Sequence, residues 1–270
     1  MELTSHEFQR FRKFLKDNSG VSLPASKQYL VINRLRPLMQ EVGMEDLSDL
    51  LSMIESVPDN DLAAKVIDVM TTNENFWFRD SSHFRFLETK LLAELLESSP
   101  QLTIWSVACS SGQEPFSISL SIDKALKKYA NQHYVKIIAT DVSDKALSKA
   151  KTGIYSDTEL TRGLPNNIKN QHFTKVQDGW QIASSHRSRV SFGLLNLLDD
   201  FSRLGEFDII FCRSVLLYFA GPAKVDILNR IINVMKQGAY LFLSSAEMLP
   251  AEINGLEVVR NAGCKCYRKI

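Results

Sequence analysis

Residues 105–120 read WSVACSSGQEPFSISL, which is an apolar run, a loop of small residues and the start of a helix. The small side chains of Ala108, Ser110 and Gly112 would let a ligand approach the backbone closely, and the helix N-terminus behind them offers free N–H donors. This arrangement is typical of the site where α/β proteins bind a nucleotide-like cofactor. Because the glycine spacing is degenerate, a strand-to-helix turn made only for packing remains open as the alternative.

The chain around this stretch, from Pro100 onward, alternates between short apolar runs and helical stretches. The runs are LTIWSVAC, YVKIIATD, RVSFGLLN, FDIIFCRS and AYLFLSS, and the main helical stretches lie at 114–130 and 223–236. Strands that alternate with helices predict parallel pairing, so we expect a doubly wound α/β sheet. The final segment, 256–270, predicts an antiparallel hairpin that closes one edge of the sheet.

The first hundred residues carry helix patterns and no competing strand pattern. We therefore expect an all-α N-terminal domain at residues 1–80 and a second domain at residues 81–270. The segment at 81–98 predicts one long amphipathic helix.

One segment interrupts the alternation of strands and helices. HFTKVQ and WQIAS flank Asp178 and Gly179, a pair that strongly indicates a tight hairpin turn. We expect a small antiparallel β-subdomain at about 166–191, with RVSF (189–192) contributing to it.

The composition excludes several classes of protein. An apolar content of 44% with 23% charged residues is that of an ordinary globular protein, and a net charge of +1 provides no general attraction for nucleic acid or anionic lipid. No stretch reaches the ~18 uninterrupted apolar residues of a spanning helix, so we expect no membrane insertion and a cytoplasmic location. The four cysteines lack CxxC spacing, which favours reduced, buried thiols and no metal site.

Two acidic residues indicate the kind of cofactor. Asp141 ends the second predicted strand, where a carboxylate can accept hydrogen bonds from ribose hydroxyls, although it could instead cap the next helix. Glu114 lies at the start of the helix after the small-residue loop. A carboxylate there would repel a dinucleotide pyrophosphate but could pair with the ammonium group of S-adenosylmethionine, while helix capping is the simpler alternative.

Six blocks of the sequence, in order and spacing, resemble the CheR-type chemotaxis protein methyltransferase family. They are TTNENFWFRD, WSVACSSGQEPFSISL, ATDVSDKAL, NLLD, FDIIFCRSVLLYF and AYLFLSSAEML. The resemblance covers essentially the whole chain. It implies a Rossmann-like, S-adenosylmethionine-dependent methyltransferase domain with an inserted antiparallel β-subdomain, preceded by an all-α domain. The implied activity esterifies glutamate side chains on the cytoplasmic helices of methyl-accepting chemoreceptors, with S-adenosylhomocysteine as the second product.

The resemblance also implies roles for individual residues. Arg79 and Tyr218 match residues near the acceptor carboxylate and the site of methyl transfer. The positions that match cofactor contacts are Asn73, Asn75, Arg79, Ala108, Glu114, Asp141, Asn196, Leu197, Arg213 and Ser214. Acceptor recognition is implied on the helical domain, where Lys27, Arg34 and Arg36 would face an acidic receptor helix. A solvated basic helix face is the alternative for these three cations.

The chain departs from the family pattern at three places. Asn75 replaces the usual threonine, Ser214 replaces the asparagine of the usual C-R-N, and residues 244–247 read SSAE instead of GHSE. These departures keep a non-catalytic S-adenosylmethionine sensor or scaffold open as an alternative.

A second alternative, a methyltransferase of the same fold for small molecules or nucleic acid, is weakened because the chain lacks the D/N-P-P-Y/F tetrapeptide. The resemblance implies that some family members bind a pentapeptide at the receptor C-terminus through a longer, glycine-rich hairpin connection. Here the connection is short and has a single glycine, so we predict an enzyme that does not need this pentapeptide. We also expect a monomer.

Overall fold

The computed structural model describes residues 3–56, 61–71, 75–126 and 133–270. Its N-terminal part is helical, as the sequence predicts. The helices are α1 (Ser5–Ser19), α2 (Gln28–Glu41), α3 (Leu47–Ser56) and α4 (Asp61–Met70). A capping box of Thr4 and Glu7 begins α1, and Gly20 ends it in the left-handed conformation with φ 73°.

The core of the helical domain is separate from that of the sheet domain. Buried side chains from Leu3 to Met70 form one apolar cluster. Trp77 already belongs to the cluster that packs on the large sheet. A long helix then follows as α5 (Ser81–Phe86), a π-helical turn (Leu87–Leu91) and α6 (Leu92–Ser98), which confirms the helix predicted at 81–98.

A seven-stranded sheet forms the centre of the second domain. The strands in the described part of the chain are β1 (Gln101–Val107), β2 (Tyr134–Asp141), β3 (Ile154–Tyr155), β4 (Phe173–Val176), β5 (Gly179–Ile182), β6 (Val190–Leu194), β7 (Phe207–Cys212), β8 (Met235–Phe242), β9 (Leu256–Asn261) and β10 (Cys264–Lys269). The order in the large sheet is β6-β2-β1-β7-β8-β10-β9. β6, β2, β1, β7 and β8 pair in parallel, and β9 and β10 form the predicted antiparallel hairpin at the edge.

Helices connect the parallel strands and cover the sheet. They are α7 (Gln113–Leu126), α8 (Asp144–Thr152), α9 (Asp157–Thr161), α10 (Asn166–His172), α11 (Ser184–Arg189) and α12 (Gly221–Asn233). The central strand β1 is almost wholly buried, because apolar residues on both of its faces pack under helices. The predicted doubly wound sheet is therefore confirmed. All four cysteines are free and buried, as expected.

The inserted β-subdomain differs from the prediction in two respects. Its three strands are β3, β5 and β4, in that order, whereas the last three residues of RVSF lie in β6 and pair in parallel with β2 of the large sheet. The turn consists of Gln177 and Asp178, and Gly179 is already paired with Val176. Gly179 is needed in the strand because a Cβ there would lie 2.4 Å from the carbonyl oxygen of Tyr155 in β3.

The helical domain is attached to the loops at the carboxyl edge of the large sheet. Val21 forms a β-bridge with Phe219, and the Ser22 N–H donates to the carbonyl of Tyr218 over 2.8 Å. Phe219 packs so closely on Gly20 that a Cβ there would lie 2.3 Å from its ring. These contacts hold the end of α1 over the loop that follows β7. Among the described residues, no helix is long and apolar enough to cross a membrane.

Candidate cofactor site

A cavity of about 200 Å³ lies where the carboxyl ends of β1, β2 and β7 meet the helical domain. Parallel sheets place ligand sites at this edge, next to the position where the strand order reverses. The lining residues are Ser19, Val21, Met70, Thr71, Asn75, Arg79, Ala108, Ser110, Thr140, Asp141, Val142, Leu195, Asn196, Leu197, Arg213, Ser214, Val215, Leu217, Tyr218 and Phe219. A smaller adjoining cavity of about 30 Å³ shares five of these side chains and adds Glu114.

Asp141 lies at the end of β2 and is nearly completely buried. Its Oδ2 accepts the backbone N–H of Ser110 over 2.8 Å, and its Oδ1 accepts that of Ser143 over 2.9 Å. Burial raises the pKa of the Asp141 carboxyl, and these two hydrogen bonds oppose that shift. Each carboxylate oxygen has a second lone pair, so Asp141 can still accept ribose hydroxyls from the cavity.

The small-residue loop adopts an unusual backbone conformation. Ala108 and Ser110 have φ values of 52° and 47°, in the left-handed region that non-glycine residues rarely adopt. The hydrogen bond from Ser110 to Asp141 stabilises this conformation. Strained backbone of this kind is concentrated at ligand sites, where the surrounding structure imposes it.

Glu114 shares a buried ion-pair network with Arg213, whose side chain is only 2% exposed. Arg213 Nη1 donates to Glu114 Oε2 over 2.9 Å, and its Nη2 donates to Asp80 Oδ2 over 2.8 Å. Ser106 Oγ donates to the other oxygen of Glu114 over 2.7 Å. Burial raises the pKa of Glu114, and the charge of Arg213 only partly opposes this shift. For Asp80, burial also favours a higher pKa, but the contacts with Arg213 outweigh it and hold the pKa below its usual value.

Glu247 fixes the loop after β7 and was not expected from the sequence. Its Oε2 accepts the Ser214 N–H over 2.8 Å and the Ser244 hydroxyl over 2.7 Å. Its Oε1 accepts the Leu217 N–H over 3.3 Å. Ser214 has a φ of 58°, and its buried Oγ has no hydrogen-bond partner among the described residues. That hydroxyl, which belongs to a cavity-lining residue, can hydrogen-bond a polar group of a bound cofactor.

The other predicted cofactor residues meet the cavity in different ways. Asn75 Nδ2 contacts Ser111 Oγ over 3.3 Å. Asn196 Nδ2 donates to the carbonyl of Asn18 over 2.6 Å, so this side chain also joins the two domains. Leu197 is buried, and Asn73 lies outside the described residues. The structure therefore brings every described residue of the predicted cofactor set to the two cavities.

The three predicted receptor-binding cations are not equivalent. Lys27 and Arg36 are exposed. Arg34 is half-buried, and its Nη1 donates to the carbonyl of Met70 over 2.6 Å and to that of Thr71 over 3.2 Å. Arg34 thus binds the carboxyl end of α4, beside the cofactor cavity. The sequence gives no sign of this contact, because the partners are backbone atoms.

Three residues of the site, Asp80, Ser106 and Glu247, were not predicted from the sequence. Asp80 ends the recognised block TTNENFWFRD and Glu247 ends SSAE, so both stand inside motifs. Ser106 alternates with apolar neighbours in β1. A polar residue in a run that is otherwise buried is the one signal that could have indicated it.

The fold and the site together define a Rossmann-like protein with a cavity for an adenosine-type cofactor. The carboxylate of Asp141 suits ribose, and the apolar side chains of Leu195 and Leu197 suit an adenine ring. Glu114, a carboxylate in the adjoining smaller cavity, suits the ammonium group of an amino acid. These features fit S-adenosylmethionine.

Comparison with known proteins identifies the family. Residues 6–71 match the family described as "CheR methyltransferase, all-alpha domain", and residues 73–263 match "CheR methyltransferase, SAM binding domain". The chain belongs to the CheR methyltransferase family and binds S-adenosylmethionine.

Curated relatives support the same assignment. Chemotaxis protein methyltransferase Cher2 of Pseudomonas putida is 43% identical over 93% of this chain and 91% of its own length. Chemotaxis protein methyltransferase 1 of Pseudomonas aeruginosa is 42% identical over 92% of each chain. Chemotaxis protein methyltransferase 1 of Vibrio cholerae is 38% identical over 96% of this chain and 94% of its own length. The protein is therefore an S-adenosylmethionine-dependent methyltransferase of chemotaxis.

Asp141→Asn tests the assignment of the ribose position. The variant keeps the shape of the side chain but removes its charge, so the dissociation constant for S-adenosylhomocysteine should rise about tenfold, or about 1.4 kcal/mol. Isothermal titration calorimetry measures the constant, and thermal unfolding checks the fold. Asp144→Asn, at an exposed position three residues away, is the matched control. Affinity within about twofold of wild type would rule out this role for Asp141.

Proposed function

We propose that this protein transfers the methyl group of S-adenosylmethionine to glutamate side chains on the cytoplasmic helices of chemoreceptors. The observation that carries the proposal is the position of Arg79, a cation that lines both connected cavities beside Ala108 and Arg213. A cation there suits a carboxylate acceptor better than a neutral amine or hydroxyl. The named activity of the relatives, chemotaxis protein methylation, supports the same acceptor class.

The chemistry requires positioning and no general base. A glutamate side chain has an ordinary pKa of about 4.3, so it is already a nucleophile at neutral pH. S-adenosylmethionine supplies a methyl group activated by the sulfonium. A carboxylate oxygen forms the new bond to the methyl carbon while the electron pair of the carbon–sulfur bond returns to sulfur, and no proton moves. The task of the protein is to hold acceptor and donor in line, which can contribute ~7–11 kcal/mol in favourable cases.

Individual roles follow from this reaction. Arg79 and Tyr218 orient the acceptor carboxylate, because both line the cavity of about 200 Å³. Asp141 binds ribose, Glu114 binds the ammonium group, and Arg213 pairs with Glu114 and orients its carboxyl group. We assign residues 1–80 to receptor recognition and cofactor cover, and residues 81–270 to catalysis. The alternative of a non-catalytic sensor is not favoured, because Glu247 holds the loop at Ser214 through the backbone, which the serine retains.

The product identifies the reaction. Membranes that carry a chemoreceptor of the same organism should accept labelled methyl groups in the presence of this protein, and alkali should release the label as methanol. Alkali-stable label would contradict ester formation, and cofactor binding without any transfer would support the sensor.

Arg79→Ala should lower the methylation rate at saturating substrate far more than it weakens S-adenosylhomocysteine binding, because the guanidinium of Arg79 contacts the acceptor.

Receptor docking is expected to use the exposed cations of the helical domain. The double variant Lys27→Glu/Arg36→Glu should raise the apparent KM for receptor at low ionic strength and leave cofactor affinity unchanged. Arg34 is unsuitable for this test because it binds the end of α4. Lys145→Glu/Lys151→Glu, on exposed positions of α8, is the matched control. Equal KM values for the two double variants would remove this face from docking.

The short hairpin of β4 and β5 supports docking without a receptor pentapeptide. Only Gln177 and Asp178 connect the two strands, and Val176 pairs directly with Gly179. A closed, regular hairpin lacks the widened connection that would help to hold a peptide strand. We expect no binding of receptor C-terminal peptides in calorimetry and equal methylation of intact and tail-truncated receptor. Micromolar peptide affinity, or loss of methylation on truncation, would show that the hairpin tethers the receptor.

A further inference from the structure

Three potential metal ligands from three helices meet outside the cofactor cavity. Asp123 lies on α7, His172 is the last residue of α10 and His186 lies on α11. One ligand atom from each residue lies within 4.8 Å of the other two. Within the cluster, His186 Nε2 and His172 Nδ1 are 2.8 Å apart. In the sequence these residues lie far apart, so no spacing motif indicates the cluster.

His186 is held in the orientation that a ligand needs. Its side chain is fully buried, and its Nδ1 lies 2.9 Å from Oγ of Ser119. In the tautomer with the proton on Nδ1, the ring donates to Ser119 and directs the lone pair of Nε2 toward His172. Metal-binding histidines usually make such a hydrogen bond with their second nitrogen.

Arg189 orients the carboxylate of the cluster. Its Nη2 lies 3.1 Å from Oδ1 of Asp123, and its Nη1 lies 2.9 Å from Oγ of Ser119. A hydrogen bond of this kind to one carboxylate oxygen is common in metal sites, and the other oxygen can act as the ligand. The positive charge of Arg189 opposes a cation and should limit the affinity. Asp123 and His172 also line a surface groove, which provides access from solvent.

We propose that Asp123, His172 and His186 bind one zinc ion, with a water molecule as the fourth ligand. Two imidazole nitrogens and one carboxylate oxygen are a ligand set that zinc accepts in four-coordinate sites. Zinc replaces the hydrogen bond between the rings. With Zn–N distances of ~2.0–2.1 Å, tetrahedral geometry needs nitrogens about 3.3 Å apart, a small movement for the half-buried His172. The ion would join α7 to the inserted segment, which is a structural role independent of methyl transfer.

Zinc binding to the full chain, prepared without a histidine tag, tests this site. Calorimetric titration with zinc chloride should show one saturable site, and cobalt(II) should give the visible absorption of a four-coordinate ion. His172→Asn removes a ligand at a half-buried position and should weaken zinc binding at least about tenfold. His6→Asn removes an exposed imidazole elsewhere and should leave the affinity unchanged.

Stability and a second variant complete the test. Zinc should raise the Tm of the wild-type protein and of His6→Asn, but not of His172→Asn, because binding to the folded state stabilises it. Should His172→Asn fail to fold, Ser119→Ala leaves all three ligands in place and should weaken zinc binding about tenfold through the loss of the contact that orients His186. Absence of saturable one-to-one binding would overturn the proposal. An unchanged zinc affinity in His172→Asn, or in Ser119→Ala if His172→Asn does not fold, would also overturn it.

Discussion

The rest of the site depends on the ion pairs of the buried Arg213 guanidinium. The Arg213 side chain is only 2% exposed, and burying its charge costs free energy unless the charge is paired and hydrogen-bonded. Glu114 from α7 and Asp80 from the start of α5 provide that pairing, so one cation connects the end of β7 to two helices. Loss of both carboxylates would leave the guanidinium as an uncompensated buried charge, which is strongly destabilising.

Buried carboxylates also hold the loops of the cavity. Asp141 fixes the loop after β1 through Ser110, and Glu247 fixes the loop after β7 through Ser214. Both loops include residues with positive φ, which cost energy without such anchors. Glu247 binds the backbone N–H of Ser214, a group that any residue other than proline supplies, so this contact does not depend on the side chain at position 214.

The position of the helical domain gives the site its second wall. Contacts of Val21 and Ser22 with the loop at 218–219 bring the end of α1 to the carboxyl edge of the sheet. Arg34 holds the end of α4 at the same cavity. The protein has almost no net charge, so any electrostatic attraction on its surface depends on where single cations lie. The Arg34 guanidinium binds backbone carbonyls and so helps to hold the helical domain together, whereas Lys27 and Arg36 are exposed.

The sequence by itself determined the architecture and the position of Asp141, because burial periodicity and turn residues are local properties of the chain. It predicted the doubly wound sheet, the long helix at 81–98 and the hairpin at 256–270. Only the tertiary structure decided that RVSF joins the large sheet, since either sheet could bury the same apolar run. It alone decided that Gly179 meets a carbonyl of β3 and that Arg213 pairs with Asp80. Such contacts join residues far apart in the chain, and strand order sets which of them meet.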